Sequence, residues 1–193
     1  MIKAVIFDCF GVLVGQGFDR TYEAAGGDPD KDRDFINEKL GQINRGQISN
    51  SDFDEAMSSR LGITDNTWHQ AIDKVQSADE ELLDYIRQLK KKYKTAVLSN
   101  ANVGVIVELL GAQRTKECFD DLIVSAEVGL IKPDERIYLL AAERLGVSPN
   151  QCIYIDDRQR FVDAGNALGM KSILYTNLGS LKKKIESLTN SKD

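Results

Sequence analysis

Five short runs of uninterrupted apolar residues constrain this chain more than any other feature: Ala4-Val5-Ile6-Phe7, Thr95-Ala96-Val97-Leu98, Leu122-Ile123-Val124, Cys152-Ile153-Tyr154-Ile155 and Ser172-Ile173-Leu174-Tyr175. A strand with one wet face alternates apolar and polar residues, whereas a strand covered on both faces is apolar throughout. The runs therefore predict strands enclosed between two helical layers. Helical spacing fills two of the intervals. Glu80 to Tyr93 places Leu82, Leu83, Ile86 and Leu89 on one stripe, with Ser77 and Glu80 at capping-box spacing. Glu135 to Leu145 aligns Ile137, Leu140, Ala141 and Leu145 between Pro133 and Gly146. Strands alternating with helices of these lengths specify an α/β fold with a Rossmann-like, doubly wound parallel sheet.

Residues 15–77 break that rhythm, with helix-like segments punctuated by Gly26-Gly27, Gly41 and Gly46 and no convincing strand. The expected organisation is a core built from residues 1–14 and 78–193, with a small helical cap over residues 15–77 inserted after strand one. The length of 193 residues suits one such interrupted domain, and 42% apolar residues are enough to bury its core. A net charge of -5 argues against a nucleic-acid partner, because the short lysine runs at 90–92 and 182–184 lie on helical, solvated faces. Cys9, Cys118 and Cys152 are odd in number and lack metal-ligand spacing, which fits a reduced, cytoplasmic setting. The chain opens directly into a strand-like run, so neither export nor a membrane span is expected, and a monomer or weak homodimer is anticipated. The tail from Thr189 is expected to fray.

In an open parallel sheet, ligands bind beyond the carboxyl ends of the strands, near the point where strand order reverses. Four of the five runs end there in reactive groups. The first ends in Asp8, the second in Ser99-Asn100, and the fourth in Asp156-Asp157-Arg158, while Lys132-Pro133-Asp134 follows the third. Singly, each is an ordinary turn, cap or surface residue. Together at one edge, three carboxylates, a lysine and a hydroxyl need something polyvalent to hold them, as a divalent cation and a phosphate dianion would.

These residues resemble the haloacid dehalogenase superfamily. Phe7-Asp8-Cys9-Phe10-Gly11-Val12-Leu13 looks like its nucleophile motif, Val97-Leu98-Ser99-Asn100 like its second, Gly129-Leu130-Ile131-Lys132-Pro133-Asp134 like its third, and Tyr154-Ile155-Asp156-Asp157 like its fourth, with Gly169-Met170 at a familiar spacing. The resemblance implies a Mg²⁺-dependent phosphatase of a small phosphorylated metabolite. Asp8 would be nucleophile and metal ligand, passing through an aspartyl-phosphate. The Phe10 carbonyl and Asp157 would also bind the metal, with Asp156 doing so directly or through water. Ser99 and the amide of Asn100, placed at a helix start, would bind the phosphoryl oxygens. Lys132 would neutralise charge shared by Asp8 and the phosphoryl group.

Two positions depart from that pattern. The residue two after the nucleophile is Phe10 rather than an acid that protonates the leaving group, a function worth roughly a hundredfold or more for basic leaving groups. Acyl or anomeric phosphates, an acid recruited from the cap, or weak activity would each accommodate it. So would a haloacid dehalogenase, whose carboxylate attacks carbon without a metal, or a non-catalytic phosphometabolite-binding protein. The adjacent pair Asp156-Asp157 disfavours the dehalogenase, since without a cation it repels a carboxylate substrate; that substrate would need Arg20, Arg33 or Arg45 from the cap. Phe161 stands where relatives tend to carry Asp or Asn beside the metal. A response-regulator receiver is excluded by order, because there the acidic pair comes first. His69, the single histidine, is expected on the surface or packed in the cap, Cys9 as buried filler on the side opposite Asp8, and Asn44-Arg45-Gly46 as a connection able to reach the site.

Overall fold

A computed structural model describes residues 1–15, 18–75 and 77–190. The five apolar runs form β1 (Ala4–Phe7), β2 (Lys94–Ser99), β3 (Asp121–Val124), β4 (Cys152–Asp156) and β5 (Lys171–Leu174). All pair in parallel, in the order β3-β2-β1-β4-β5. The opening strand therefore lies at the centre of the sheet, and the strand order reverses between β1 and β4. Phe7 is in register with Val97 on one side and Ile155 on the other, so the residues that follow β1 and close β2 and β4 emerge at one edge.

The period-two alternation of each strand divides the core into two layers. Val5, Phe7, Val97, Ile153 and Ile155 pack on α5 (Glu80–Lys90), α6 (Val105–Leu110), α7 (Ala112–Cys118) and α11 (Leu178–Asn190); Ala4, Ile6, Ala96, Leu98 and Tyr154 pack on α8 (Ser125–Val128), α9 (Glu135–Arg144) and α10 (Gln159–Ala167). Each large side chain so buried contributes about 1.5–3 kcal/mol relative to exposure. Continuous apolarity was thus the signature of helices on both faces.

Helix α5 buries the expected stripe, but Asp79, not Ser77, opens it: the Asp79 carboxylate accepts from the Leu82 amide at 3.0 Å. Because the helix begins at Glu80, that residue is its first position and cannot close a capping box with Ser77. Helix α9 is opened by Asp134, whose side chain accepts from the Arg136 amide.

Between β1 and α5 the described residues form four helices, α1 (Phe18–Ala24), α2 (Arg33–Asn44), α3 (Asn50–Leu61) and α4 (Asp65–Val75). They enclose an apolar cluster of their own around Tyr22, Ile36, Met57 and Trp68. The two connectors to the sheet run side by side: Val14 bridges Ala78 in antiparallel fashion, and the Asp79 amide donates to the Leu13 carbonyl at 2.9 Å. Gln16, Gly17 and Gln76, next to the expected core and cap boundaries, lie outside the described residues, as do residues 191–193 of the tail. Thr189 and Asn190 close α11.

Candidate active site

Asp8, the first residue past β1, is 5% exposed and accepts the amide of Cys9 on Oδ1 at 2.7 Å. Cys9 turns the other way, into the layer containing Phe7 and Leu82. Gly11 shapes the loop that follows. Its φ is +80°, and a Cβ there would lie 2.3 Å from the Asp157 carboxylate, so a bare backbone lets this loop close against the end of β4.

Lys132 joins the two strand ends. Its fully buried ammonium lies 2.9 Å from Asp8 Oδ1 and 2.7 Å from Asp156 Oδ2, and donates to the Tyr154 hydroxyl at 3.0 Å. Tyr154 in turn donates to Asp156 Oδ2, while Asp156 Oδ1 accepts from the Arg158 amide at 2.9 Å. Both Asp156 oxygens are thus engaged by other residues, whereas the Asp157 carboxylate accepts only from its own backbone amide among the described residues. Burial raises the Asp8 carboxyl to about 6, with Lys132 opposing the rise and the charge of Asp156 adding to it. Desolvation, then the Asp156 charge, raises Asp157 as well, although that residue is exposed. Burial holds the Tyr154 phenol well above its ordinary range, so it remains a neutral donor.

Ser99 lies at the end of β2, fully buried, and its hydroxyl has no hydrogen-bond partner among the described residues. Buried hydroxyls are ordinarily paired; this one lines the cavity into which Asp8, Lys132 and Asp157 also face. Asn100 departs from expectation. No helix starts there, since α6 begins at Val105 after Gly104, so its amide has no helix terminus behind it. Instead its side chain brackets the backbone of Lys132, Oδ1 accepting from the Lys132 amide at 2.7 Å and Nδ2 donating to its carbonyl at 3.0 Å. Phe10 also lines the cavity, and its carbonyl is not taken up by another group among the described residues.

Asp8, Asp156 and Asp157 each offer an oxygen within 4.8 Å of the others, a spacing that suits one small divalent cation. Phe161, buried at the start of α10, places its ring 5.0 Å from the Lys132 ammonium and 4.6 Å from the Arg160 guanidinium. The position where relatives in the resembled pattern tend to carry Asp or Asn is thus a ring face for cations.

The cavity, about 640 Å³, lies between the sheet edge and the four-helix segment. The Asn44-Arg45-Gly46 turn does reach it. The Asn44 carbonyl accepts from Ser125 Oγ at 2.7 Å, Arg45 lines the cavity, and Gly46 approaches the Ala126 carbonyl closely enough that a Cβ would lie 3.2 Å away. Asn50 and Asn102 form a second hydrogen bond across the same boundary. His69 lines the cavity too, opposite Asp54, rather than serving only as surface or packing.

A central β1 ending in a buried carboxylate, a lysine tied to it and an acidic pair at the end of the neighbouring strand mark a Rossmann-like fold of the haloacid dehalogenase type. The chain belongs to the haloacid dehalogenase-like hydrolase family, whose model matches residues 2–169. It is 25% identical to D-ribitol-5-phosphate phosphatase of Bacteroides thetaiotaomicron over 99% of this chain and all of that protein. Identity to (S)-2-haloacid dehalogenase 4A of Burkholderia cepacia is 27%, over 61% of this chain and 57% of that protein. Among solved structures, a HAD-like family hydrolase from Porphyromonas gingivalis superposes over the whole of both chains with a TM-score of 0.81 at 23% identity. A HAD family enzyme of Bacteroides thetaiotaomicron, in complex with magnesium and inorganic phosphate, gives 0.75 at 21% identity, covering 94% of this chain and 99% of that one. At these identities the two structures establish the fold.

Proposed function

We propose that this hydrolase is a Mg²⁺-dependent phosphatase acting on a small phosphorylated metabolite. The observation that carries the reading is the buried, unpartnered Ser99 hydroxyl, facing the same cavity as a buried carboxylate and ammonium in contact. A phosphoryl oxygen is the acceptor such a hydroxyl lacks. Asp8, Asp157 and the Phe10 carbonyl would hold the cation, with Asp156, already committed to Lys132 and the Arg158 amide, acting through water. When bound, Mg²⁺ supplies charge neutralisation that lets a carboxylate approach a phosphate dianion.

Asp8 attacks phosphorus, and the bond to the leaving oxygen breaks with its electron pair going to that oxygen. Lys132 offsets the charge spread between Asp8 and the transferring group, and Ser99 donates to one of its oxygens. Water then attacks phosphorus, releasing inorganic phosphate and free Asp8. Phe10 has no proton to give the departing alkoxide, so substrates whose leaving group needs none, such as acyl or anomeric phosphates, are favoured. The four helices over residues 15–77 would serve as a cap that excludes water from the cavity, docked through Asn44 and Asn50 on the remaining core.

A panel of phosphate esters including acetyl phosphate and sugar 1-phosphates, run with and without Mg²⁺, tests the reading. Turnover is expected only with the metal and is abolished by Asp8→Asn. The dehalogenase alternative is favoured by Phe10 and by the dehalogenase relative, and halide release from a 2-haloacid at full rate in chelator would establish it. Ligand stabilisation without turnover of any ester would establish a binding protein. No helix among the described residues is long and apolar enough to cross a membrane. A cytoplasmic protein, monomeric or weakly dimeric and without a nucleic-acid partner, remains part of the proposal.

A further inference from the structure

Arginine placement in this chain is selective. Arg33, Arg60, Arg87, Arg114, Arg136 and Arg144 each meet a carboxylate, as expected where acids outnumber bases 30 to 25. Those without an ion pair among the described residues are Arg20, Arg45, Arg158 and Arg160, and all but Arg20 line the cavity. Arg158 and Arg160 share a support. Both stand over the Phe161 ring, their guanidinium carbons 5.9 and 4.6 Å from its centroid. A ring holds a guanidinium by its face and leaves the N–H edge free to bond. An acid is at hand on the same helix, since Asp163 lies one turn beyond Arg160, but it accepts from Gln159 at 2.7 Å instead. Arg158 opposes the rise of the Asp157 carboxyl without reaching ion-pair distance.

Two guanidinia on one ring repel each other, and an oxyanion bridging them would relieve that repulsion while taking up their N–H edges. The same ring lies 5.0 Å from the Lys132 ammonium, which contacts Asp8. Arg160 and Lys132 are therefore no further apart than two ring contacts, a span that one small molecule in this cavity can bridge. We infer that Arg158 and Arg160, standing on Phe161, form a subsite for a second oxyanion of the substrate, a carboxylate or phosphate at the far end of the leaving group. The inference rests on the phosphatase reading for the phosphoryl end and adds to it the charge of the other end. It agrees with the leaving groups that Phe10 favours. An acyl phosphate of a dicarboxylic acid has both features: its departing carboxylate needs no proton, and its free carboxylate fits the planar fork of an arginine. A neutral chain at the far end would leave both guanidinia unanswered.

The test compares succinyl phosphate with butyryl phosphate, which carries a methyl in place of the far carboxylate, in the wild type, Arg160→Gln, Arg158→Gln and Arg114→Gln with saturating Mg²⁺. The ratio of kcat/KM for the succinyl ester to that for the butyryl ester is expected to fall by about 10- to 100-fold in Arg160→Gln and Arg158→Gln, the range for a lost hydrogen bond to a charged group, with the change in KM. Arg114→Gln removes the same charge from a surface pair with Glu80 and should leave the ratio unchanged. Running 1,3-bisphosphoglycerate beside them, again against the butyryl ester, identifies the oxyanion: the larger loss falls on the succinyl ester if the subsite takes a carboxylate, and on the bisphosphate if it takes a phosphate. Both cavity arginines are exposed, so their replacement leaves a folded protein for comparison. Ratios within twofold of wild type for both doubly anionic substrates overturn the assignment, as does an equal loss in Arg114→Gln, which would trace the effect to net charge alone. If the wild type hydrolyses none of these esters, the phosphatase reading fails separately, and calorimetry on the Mg²⁺-loaded protein decides the subsite. Tighter binding of 5-phosphonopentanoate than of pentylphosphonate, lost in Arg160→Gln, supports it, and equal binding overturns it.

Discussion

Replacing Ser99 by alanine should move stability and activity in opposite directions, a combination that an ordinary core hydroxyl cannot produce. The Ser99 hydroxyl is fully buried and has no partner among the described residues, so its removal takes away no internal hydrogen bond. An unsatisfied buried polar group costs about 1–3 kcal/mol, and alanine relieves part of that while losing little packing volume. The expected change in unfolding free energy is between zero and about 2 kcal/mol in favour of the variant, or up to roughly 8 °C in melting temperature for a chain of this size. Catalysis should fall by about 10²- to 10³-fold, the usual effect of deleting one donor to a developing oxyanion. Ser125 provides the contrast, because its hydroxyl accepts from the Ala101 amide at 3.0 Å and lies 2.7 Å from the Asn44 carbonyl. Ser125→Ala should therefore lose about 1–3 kcal/mol of stability, through the amide left unpaired. Melting curves in phosphate-free buffer, followed by steady-state assays on acetyl phosphate with Mg²⁺, read both quantities. A Ser99→Ala protein destabilised as much as Ser125→Ala, with hydrolysis intact, would refute the assignment of Ser99 to the phosphoryl group.

Lys132→Met leaves Asp8 and Asp156 facing each other without their shared ammonium, and should cost about 3–5 kcal/mol in urea unfolding besides abolishing turnover; a loss under 1 kcal/mol would show that the ion pairs carry little. Phe10→Asp restores a proton donor two residues after the nucleophile and should raise kcat on alkyl phosphates by about a hundredfold while changing acyl phosphate turnover far less. No gain on alkyl esters would mean that the Phe10 position does not meet the leaving group.

The sheet was legible because burial on both faces leaves few polar positions in a strand, and the ends of the five runs match the observed strands to within one residue. The site followed from it: once β1 is central, Asp8, Ser99 and Asp156 must share an edge. Other members were hidden for physical reasons. Tyr154 lay inside an apolar run and was counted as core, yet it stands two residues before Asp156 on the same side of β4, a spacing that could have marked it. The role of the Asn100 side chain depends on a partner 32 residues away, and that of Ser125 on one 81 residues away, so no local pattern announces them. The pairing of Asp54 with Trp68 and His69 likewise requires α3 and α4 to be packed before it exists.

Charge separates the two chemistries found among the relatives. Three carboxylates against one lysine leave two uncompensated negative charges at the strand ends. Unit charges about 4 Å apart repel by about 4 kcal/mol at an effective dielectric of 20, so a phosphate dianion meeting that site unaided is opposed by something on the order of 15 kcal/mol. A divalent cation held by the same carboxylates cancels the excess before the substrate arrives. A haloacid monoanion meets about half that repulsion, so Arg45, Arg158 and Arg160, which line the cavity with no ion pair among the described residues and attract either substrate, come closer to offsetting it without a metal. Sensitivity to chelation should therefore scale with substrate charge. Asp157 is the residue on which the distinction turns, because it alone of the three acids has no contact with Lys132 and accepts from no other residue among the described residues, which leaves its carboxylate open to a cation.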